Sequence, residues 1–177
     1  MPLCGKSLDM RYLAESGHEV IGVEMSEIAI ESFFREGDDT FERESSSCGT
    51  SFRSGRITIH CGDVFDLAAA ELSGVHSVFD RAALVALPWE TRAAYARHLL
   101  GLLPPGGCIF LITLEYDQDL VAGPPFSVLE DHVWELFDTG CSIERVDARP
   151  TDDLPPRFVS AGVVEAIEAV YFITRAG

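Results

Sequence analysis

Apolar residues along this chain follow two rhythms. Short dense runs occur at Glu19 to Glu24 (EVIGVE), Arg56 to Cys61, Val75 to Asp80 (VHSVFD) and Cys108 to Glu115 (CIFLITLE), and again at Ser142 to Ala148 and Glu165 to Thr174. Runs of this length, bounded by turn residues, read as buried strands. Between them the apolar positions spread to helical spacing. Ser7 to Ser16 carries Leu8, Tyr12 and Leu13 and stops at Gly17, while Ser26 caps a stretch with Ile28, Ile30, Phe33 and Phe34 that ends at Gly37. Asp66 to Leu72 reads as a short Ala-rich helix. Pro88 opens another that runs to about Leu103, where Pro104-Pro105-Gly106-Gly107 ends it. Ser127-x-x-Glu130 has the form of a capping box and predicts a helix to Asp138.

Strands alternating with helices predict an α/β fold whose sheet is mostly parallel. The last two strands lack a helix between them, so an antiparallel strand is expected at the C-terminal edge. The whole chain, 1–177, is expected to be one domain. Asp38 to Gly55 is polar and Ser-rich and reads as an exposed, irregular insertion. An α/β unit of this kind begins with a strand, and only Met1 to Leu3 stand where one belongs. The pattern therefore predicts an N-terminally shortened chain whose first strand is largely missing.

Charge narrows the partners. Thirteen Lys and Arg face 29 Asp and Glu, for a net charge of −16, without a basic stripe, which argues against a nucleic-acid partner. The apolar runs are too short to span a bilayer and no signal peptide is recognisable, so a cytoplasmic protein is expected. Cys4, Cys48, Cys61, Cys108 and Cys141 are scattered, with no Cys/His cluster, and read as reduced thiols rather than metal ligands or a disulfide framework.

In a doubly wound sheet, ligands gather outside the carboxyl ends of the strands. Four segments fall there. Gly5, in Pro2-Leu3-Cys4-Gly5-Lys6-Ser7, allows close backbone approach to a ligand, or marks an ordinary turn. Glu24 closes its strand where a carboxylate can accept from both hydroxyls of a ribose, or simply face solvent. Asp63, in Cys61-Gly62-Asp63-Val64-Phe65, is placed either to accept from an adenine amino group or to form a turn. Arg81 lies just past a strand end, serving the site or pairing with a carboxylate. Gly5-Lys6-Ser7 matches only the end of a phosphate-binding loop, and the three-glycine dinucleotide fingerprint is absent. One glycine and one acid suit a nucleoside without phosphates.

The string PLCGKSLDMRYLAESGHEVIGVEMSEIAIESFF, with FDRAALVALP and LEYDQDLVAGPPFSV, resembles the bacterial branch of the thiopurine S-methyltransferases. The likeness runs through nearly the whole chain and is weakest in the Ser-rich stretch and at Asp147 to Val159. The resemblance implies a Rossmann-like class I methyltransferase fold, a monomer, S-adenosyl-L-methionine as cofactor, and methyl transfer to aromatic or heterocyclic thiols. It also implies a link to selenium or tellurium compounds, hence metalloid detoxification. Residue by residue, it places Leu3, Gly5, Glu24, Asp63 and Val64 at the cofactor and Arg81 between cofactor and substrate. Arg157, 14 positions before Tyr171, would face the substrate. It further implies a longer N-terminus with an aromatic-bearing segment over the cofactor. Class I methylation of oxygen, nitrogen or a halide, a nucleotide phosphohydrolase and a non-catalytic cofactor-binding remnant stay open as alternatives.

Overall fold

The computed structural model describes residues 1–46 and 49–177, so Cys48 lies outside the described residues. The chain divides into two compact units, Met1–Ser73 and Gly74–Gly177.

The first unit contains α1 (Asp9–Glu15), β1 (Val20–Glu24), α2 (Glu27–Glu36), β2 (Glu42–Ser46), β3 (Gly49–Ser54) and β4 (Ile57–Cys61). Its strand order is β1-β4-β3-β2, with β1 and β4 parallel and the other two ladders antiparallel. Residues 1–4 run beside β1. The Met1 amine donates to the Ile21 carbonyl at 2.7 Å, the Val23 N–H to Met1 at 3.1 Å, and the Cys4 N–H to Val23 at 3.0 Å. Helix α2 starts because the Ser26 hydroxyl accepts the Ala29 N–H at 3.2 Å, as its sequence predicts. It buries Ile30, Phe33 and Phe34 against Met10, Phe52 and Ile59 and leaves Ile28 outside. Each such fully buried side chain contributes about 1.5–3 kcal/mol.

The stretch read as an irregular insertion is corrected by this sheet: β2 and β3 form an antiparallel ladder with Arg43 opposite Phe52. Phe52 is fully buried, with the Phe41 ring 5.7 Å away and Phe34 beyond it at 5.3 Å from Phe41. Two aromatic anchors thus hold a segment whose Ser-rich composition hides its sheet-forming alternation. The predicted helix at Asp66 to Leu72 is also corrected, to two short 3₁₀ turns, Val64–Asp66 and Ala69–Leu72.

The second unit contains β5 (Ser77–Arg81), α3 (Trp89–Leu102), β6 (Cys108–Glu115), α4 (Glu130–Phe137), β7 (Cys141–Pro150), α5 (Pro156–Ser160) and β8 (Ile167–Arg175). Its order is β5-β6-β8-β7. Strands β5 and β6 are parallel, β8 is antiparallel to both its neighbours, and β7 forms the edge. The most apolar strand, β6, is interior as expected, burying Ile109, Leu111 and Thr113. Helix α3 buries Arg92, Tyr95, Ala96 and Leu99, the spacing of one helical face.

The capping box at Ser127 does not form. Helix α4 begins three residues later, and the Ser127 hydroxyl accepts the Tyr116 N–H at 3.1 Å. The Leu129 N–H turns instead to His132 Nδ1 at 3.3 Å. A buried backbone donor outside the helix claimed the serine, and the histidine took over at the helix start.

Candidate functional site

Because β1 and β4 are parallel with Glu24 opposite Cys61, the turns that follow them emerge at one edge of the first unit's sheet. The turn after residues 1–4 joins them there. Glu24 ties the three together: its Oε2 accepts the Gly5 N–H at 2.9 Å, its Oε1 accepts the Ser26 N–H at 2.8 Å, and its backbone carbonyl accepts the Gly62 N–H at 3.0 Å. A carboxylate oxygen holding one backbone donor retains a lone pair for a second. Half-buried, Glu24 is rigidly set and still open to a ligand hydroxyl.

The backbone around this edge is unusual. Gly5 has φ +48, and a Cβ built on it would meet nothing within 4 Å, so open space adjoins the turn. Leu3 has φ +47, a left-handed conformation that costs a non-glycine residue about 1–3 kcal/mol and persists where the surroundings demand it. Asp63 caps the turn at Val64–Asp66, its Oδ1 accepting the Phe65 N–H at 3.0 Å. Val64 is buried beneath it, while Met25 and Phe65, on the turns after β1 and β4, are 72% and 40% exposed. The edge therefore offers acceptor oxygens and uncovered apolar side chains, a set matched to a nucleoside. Lys6, which a phosphate-binding loop would turn to its ligand, instead pairs with Glu36 at 2.5 Å. No group of three or more His, Cys, Asp or Glu able to hold a metal occurs among the described residues.

Cys4, next to Gly5, is 6% exposed, and burial pushes its thiol up to about 12. It packs against Gly22 and Met10 and stays protonated at neutral pH, a packing residue rather than a nucleophile.

In the second unit, Arg81 is the last residue of β5, exposed and opposite Ile112. Ala82 follows with φ +78, the other strained non-glycine turn at a strand end. Arg157 lies on α5, exposed, its guanidinium carbon 5.2 Å from the Phe158 ring centre. Phe158 packs edge-on against Tyr116 at 5.0 Å, and Tyr116 directly follows β6. The carboxyl ends of the parallel strands β5 and β6 thus carry Arg81 and the segment that anchors Arg157. A cavity of about 760 Å³ in this unit is lined by Trp89, Arg92, Tyr116, Phe126 and His132 among others; neither Arg81 nor Arg157 borders it.

The structure brings Leu3, Gly5, Glu24, Asp63 and Val64 to one sheet edge within the first unit. Sequence reasoning missed Ser26 and Gly62, whose N–H groups complete the set around Glu24. Ser26 was legible only as a helix cap and Gly62 only as part of the turn after a strand.

Three comparisons with known proteins say what the chain is similar to. The family model described as Thiopurine S-methyltransferase matches residues 1–176. A thiopurine S-methyltransferase of Shewanella pealeana is 44% identical over 177 residues, 100% of this chain and 81% of that protein. One from Xanthomonas euvesicatoria pv. vesicatoria is 47% identical over 171 residues, 97% of this chain and 78% of that protein. Among solved structures, an S-adenosylmethionine-dependent methyltransferase of Methanosarcina mazei matches with a TM-score of 0.68 at 13% identity, covering 99% of this chain and 90% of that one. The Burkholderia thailandensis 1,6-didemethyltoxoflavin-N1-methyltransferase, solved with bound 1,6-didemethyltoxoflavin and S-adenosylhomocysteine, gives 0.60 at 17% identity, covering 99% and 69%. At such identities the two structures speak for a shared fold.

Proposed function

The chain belongs to the thiopurine S-methyltransferase family, and we propose that it transfers the methyl group of S-adenosyl-L-methionine to the sulfur of aromatic and heterocyclic thiols. It is a methyltransferase of the α/β class I type with that compound as its cofactor. The observation that carries the reading is the Glu24 carboxylate, held at the end of β1 by the Gly5 and Ser26 amides.

In this reading Leu3 packs beside the cofactor, Glu24 accepts from the ribose hydroxyls, and Asp63 and Val64 flank the adenine, Asp63 accepting from its amino group. When bound, the cofactor supplies a methyl group already activated by its sulfonium charge. The protein then has to orient the acceptor and exclude water. Aromatic heterocyclic thiols ionise more readily than an aliphatic thiol of pKa about 8.5, so no dedicated strong base is required. Arg81 and Arg157 favour the thiolate electrostatically at the acceptor side. A selenium or tellurium compound of similar shape presents an equally soft nucleophile, which makes metalloid detoxification a natural extension.

We place the enzyme in the cytoplasm as a single-domain monomer without a nucleic-acid partner. The charge of −16 argues against a nucleic-acid partner, and no helix among the described residues is long and apolar enough to cross a membrane. Calorimetry with S-adenosylhomocysteine, followed by turnover of a panel of thiols, phenols and amines with products identified by mass, tests the reading. Saturable binding with methylation confined to sulfur is expected. Methylation of oxygen or nitrogen acceptors in preference to thiols defeats the thiol assignment, and binding without turnover defeats the catalytic one.

A further inference from the structure

Two buried polar side chains hold the turn after β5, and the chemistry above uses neither. Asp80 is 1% exposed. Its Oδ1 accepts two successive backbone N–H groups, from Ala83 and Leu84, both at 3.1 Å. Its Oδ2 accepts the hydroxyl of Tyr95 at 2.7 Å. Tyr95 is fully buried on the inner face of α3, fifteen positions away. Between Asp80 and Ala83 the chain passes through Arg81 and the left-handed Ala82. An alanine leaves that conformation unless its neighbours over-determine it. Here the two N–H groups beyond Ala82 are gripped by one carboxylate, and that carboxylate is gripped by the tyrosine.

We propose that Tyr95 is a positioning residue for Arg81, its hydroxyl locking the Asp80 carboxylate that fixes the strained backbone from which Arg81 projects. The inference rests on the acceptor-side role given to Arg81 above. The chemistry of the pair agrees with it. Burial pushes the Tyr95 phenol well above its ordinary value, so it remains a donor at any working pH. Burial also raises the Asp80 carboxyl, and the three donors around it oppose that rise. Only the ionised carboxylate accepts from all three without offering a proton of its own. If the contact served folding alone, its removal would lower stability and leave the kinetics of correctly folded enzyme unaltered. If it serves Arg81, its removal loosens one charge and the effect appears in the use of anionic acceptors.

A double-mutant cycle on the full chain, assayed well below each variant's melting temperature, separates these cases. The probe is 4-nitrothiophenol, ionised at neutral pH, with S-adenosylhomocysteine affinity measured alongside. Tyr95→Phe is expected to lower kcat/KM for the thiolate about tenfold, and Arg81→Ala more, with the double variant no worse than Arg81→Ala. S-adenosylhomocysteine affinity should stay within about twofold in Tyr95→Phe, and Arg81→Lys should recover part of the loss only when Tyr95 is present. Asp80→Asn, which keeps one acceptor oxygen, should reproduce Tyr95→Phe and replaces it if that variant does not fold. Independent, multiplying losses in the double variant overturn the inference, as does a silent Tyr95→Phe beside a crippled Arg81→Ala. A silent Arg81→Ala is a different failure: it removes the role proposed for the arginine, and the inference falls with it.

Discussion

Glu24 and Gly5 meet through a 2.9 Å hydrogen bond from the glycine N–H to the carboxylate Oε2, joining two turns nineteen positions apart. The other oxygen, Oε1, holds the Ser26 N–H, so one side chain sets the backbone on both sides of the proposed ribose position. Removing its charge strikes binding twice, by replacing one of the two acceptor oxygens with a donor and by freeing the turn that oxygen held.

Glu24→Gln is therefore expected to weaken S-adenosylhomocysteine binding by about 2–4 kcal/mol, since hydrogen bonds to a charged group are worth about 1.5–3 kcal/mol each. Titration calorimetry should register this as a loss of roughly 30- to 700-fold in affinity. An unchanged Kd would take Glu24 out of the site.

Gly22 lies in β1 opposite Ile59, directly beneath the same edge. A Cβ added there would stand 2.7 Å from Cys4 Sγ, 3.1 Å from Met10 Sδ and 3.3 Å from Ile59 Cγ1. Cys4 is buried in the core cluster with Met10 and Ile59, so making room for the methyl means shifting packed atoms. Gly22→Ala should cost about 1–3 kcal/mol of stability, the usual penalty for overfilling a packed core. Because Cys4 leads into Gly5, cofactor affinity should fall as well. Urea denaturation reads the first effect, and a midpoint equal to the wild type would show that the core yields more easily than its geometry indicates.

The parts of this site that were legible in sequence are those set by local pattern. Glu24 stands at the end of a short apolar run and Gly5 in a turn before a helix, and both readings follow from periodicity and turn chemistry alone. What escaped depends on contacts between distant positions. The Ser-rich segment holding β2 and β3 becomes a sheet because Phe41 and Phe52 reach the core built by α2, and composition averages those two rings away. Ser127 fits the capping-box pattern, yet its hydroxyl answers to Tyr116, eleven positions back, which no helix rule anticipates. The link between Asp80 and Tyr95 likewise crosses a loop and a helix turn. Local rules give elements and their ends; the identity of the partner waits on the packing.

Arg157 sits on a five-residue helix pinned by Phe158, which is fully buried against Tyr116. The anchor is thus separate from the charge, and the arginine can be changed without removing the helix's hold. Arg157→Ala should lower kcat/KM for an ionised thiol about tenfold while S-adenosylhomocysteine affinity holds, as expected for loss of one exposed to half-screened charge beside an anion. Arg157→Lys, which keeps the charge, should lie between. Equal kinetics in all three proteins would refute a substrate-facing role.

His60 supplies a pH signature independent of catalysis. It is 5% exposed on β4, and its Nδ1 finds no hydrogen-bond partner among the described residues. Burial pushes its pKa below the ordinary 6.5, with Glu71 acting weakly the other way. Between the lowered folded value and 6.5 the unfolded chain binds more protons than the folded one, so unfolding free energy rises with pH across that window. The stability linked to a neutral His60 is complete above 6.5 and drains away as acidification carries the pH through the folded value. In His60→Leu this term is absent. Urea midpoints of the two proteins should differ by a constant above about pH 7.5 and shift against the wild type below 6.5, with a slope of at most about 1.4 kcal/mol per pH unit. Parallel curves from pH 7.5 to about 5 would mean that His60 accepts a proton in place. The interior beneath β4 would then be wetter than its burial implies.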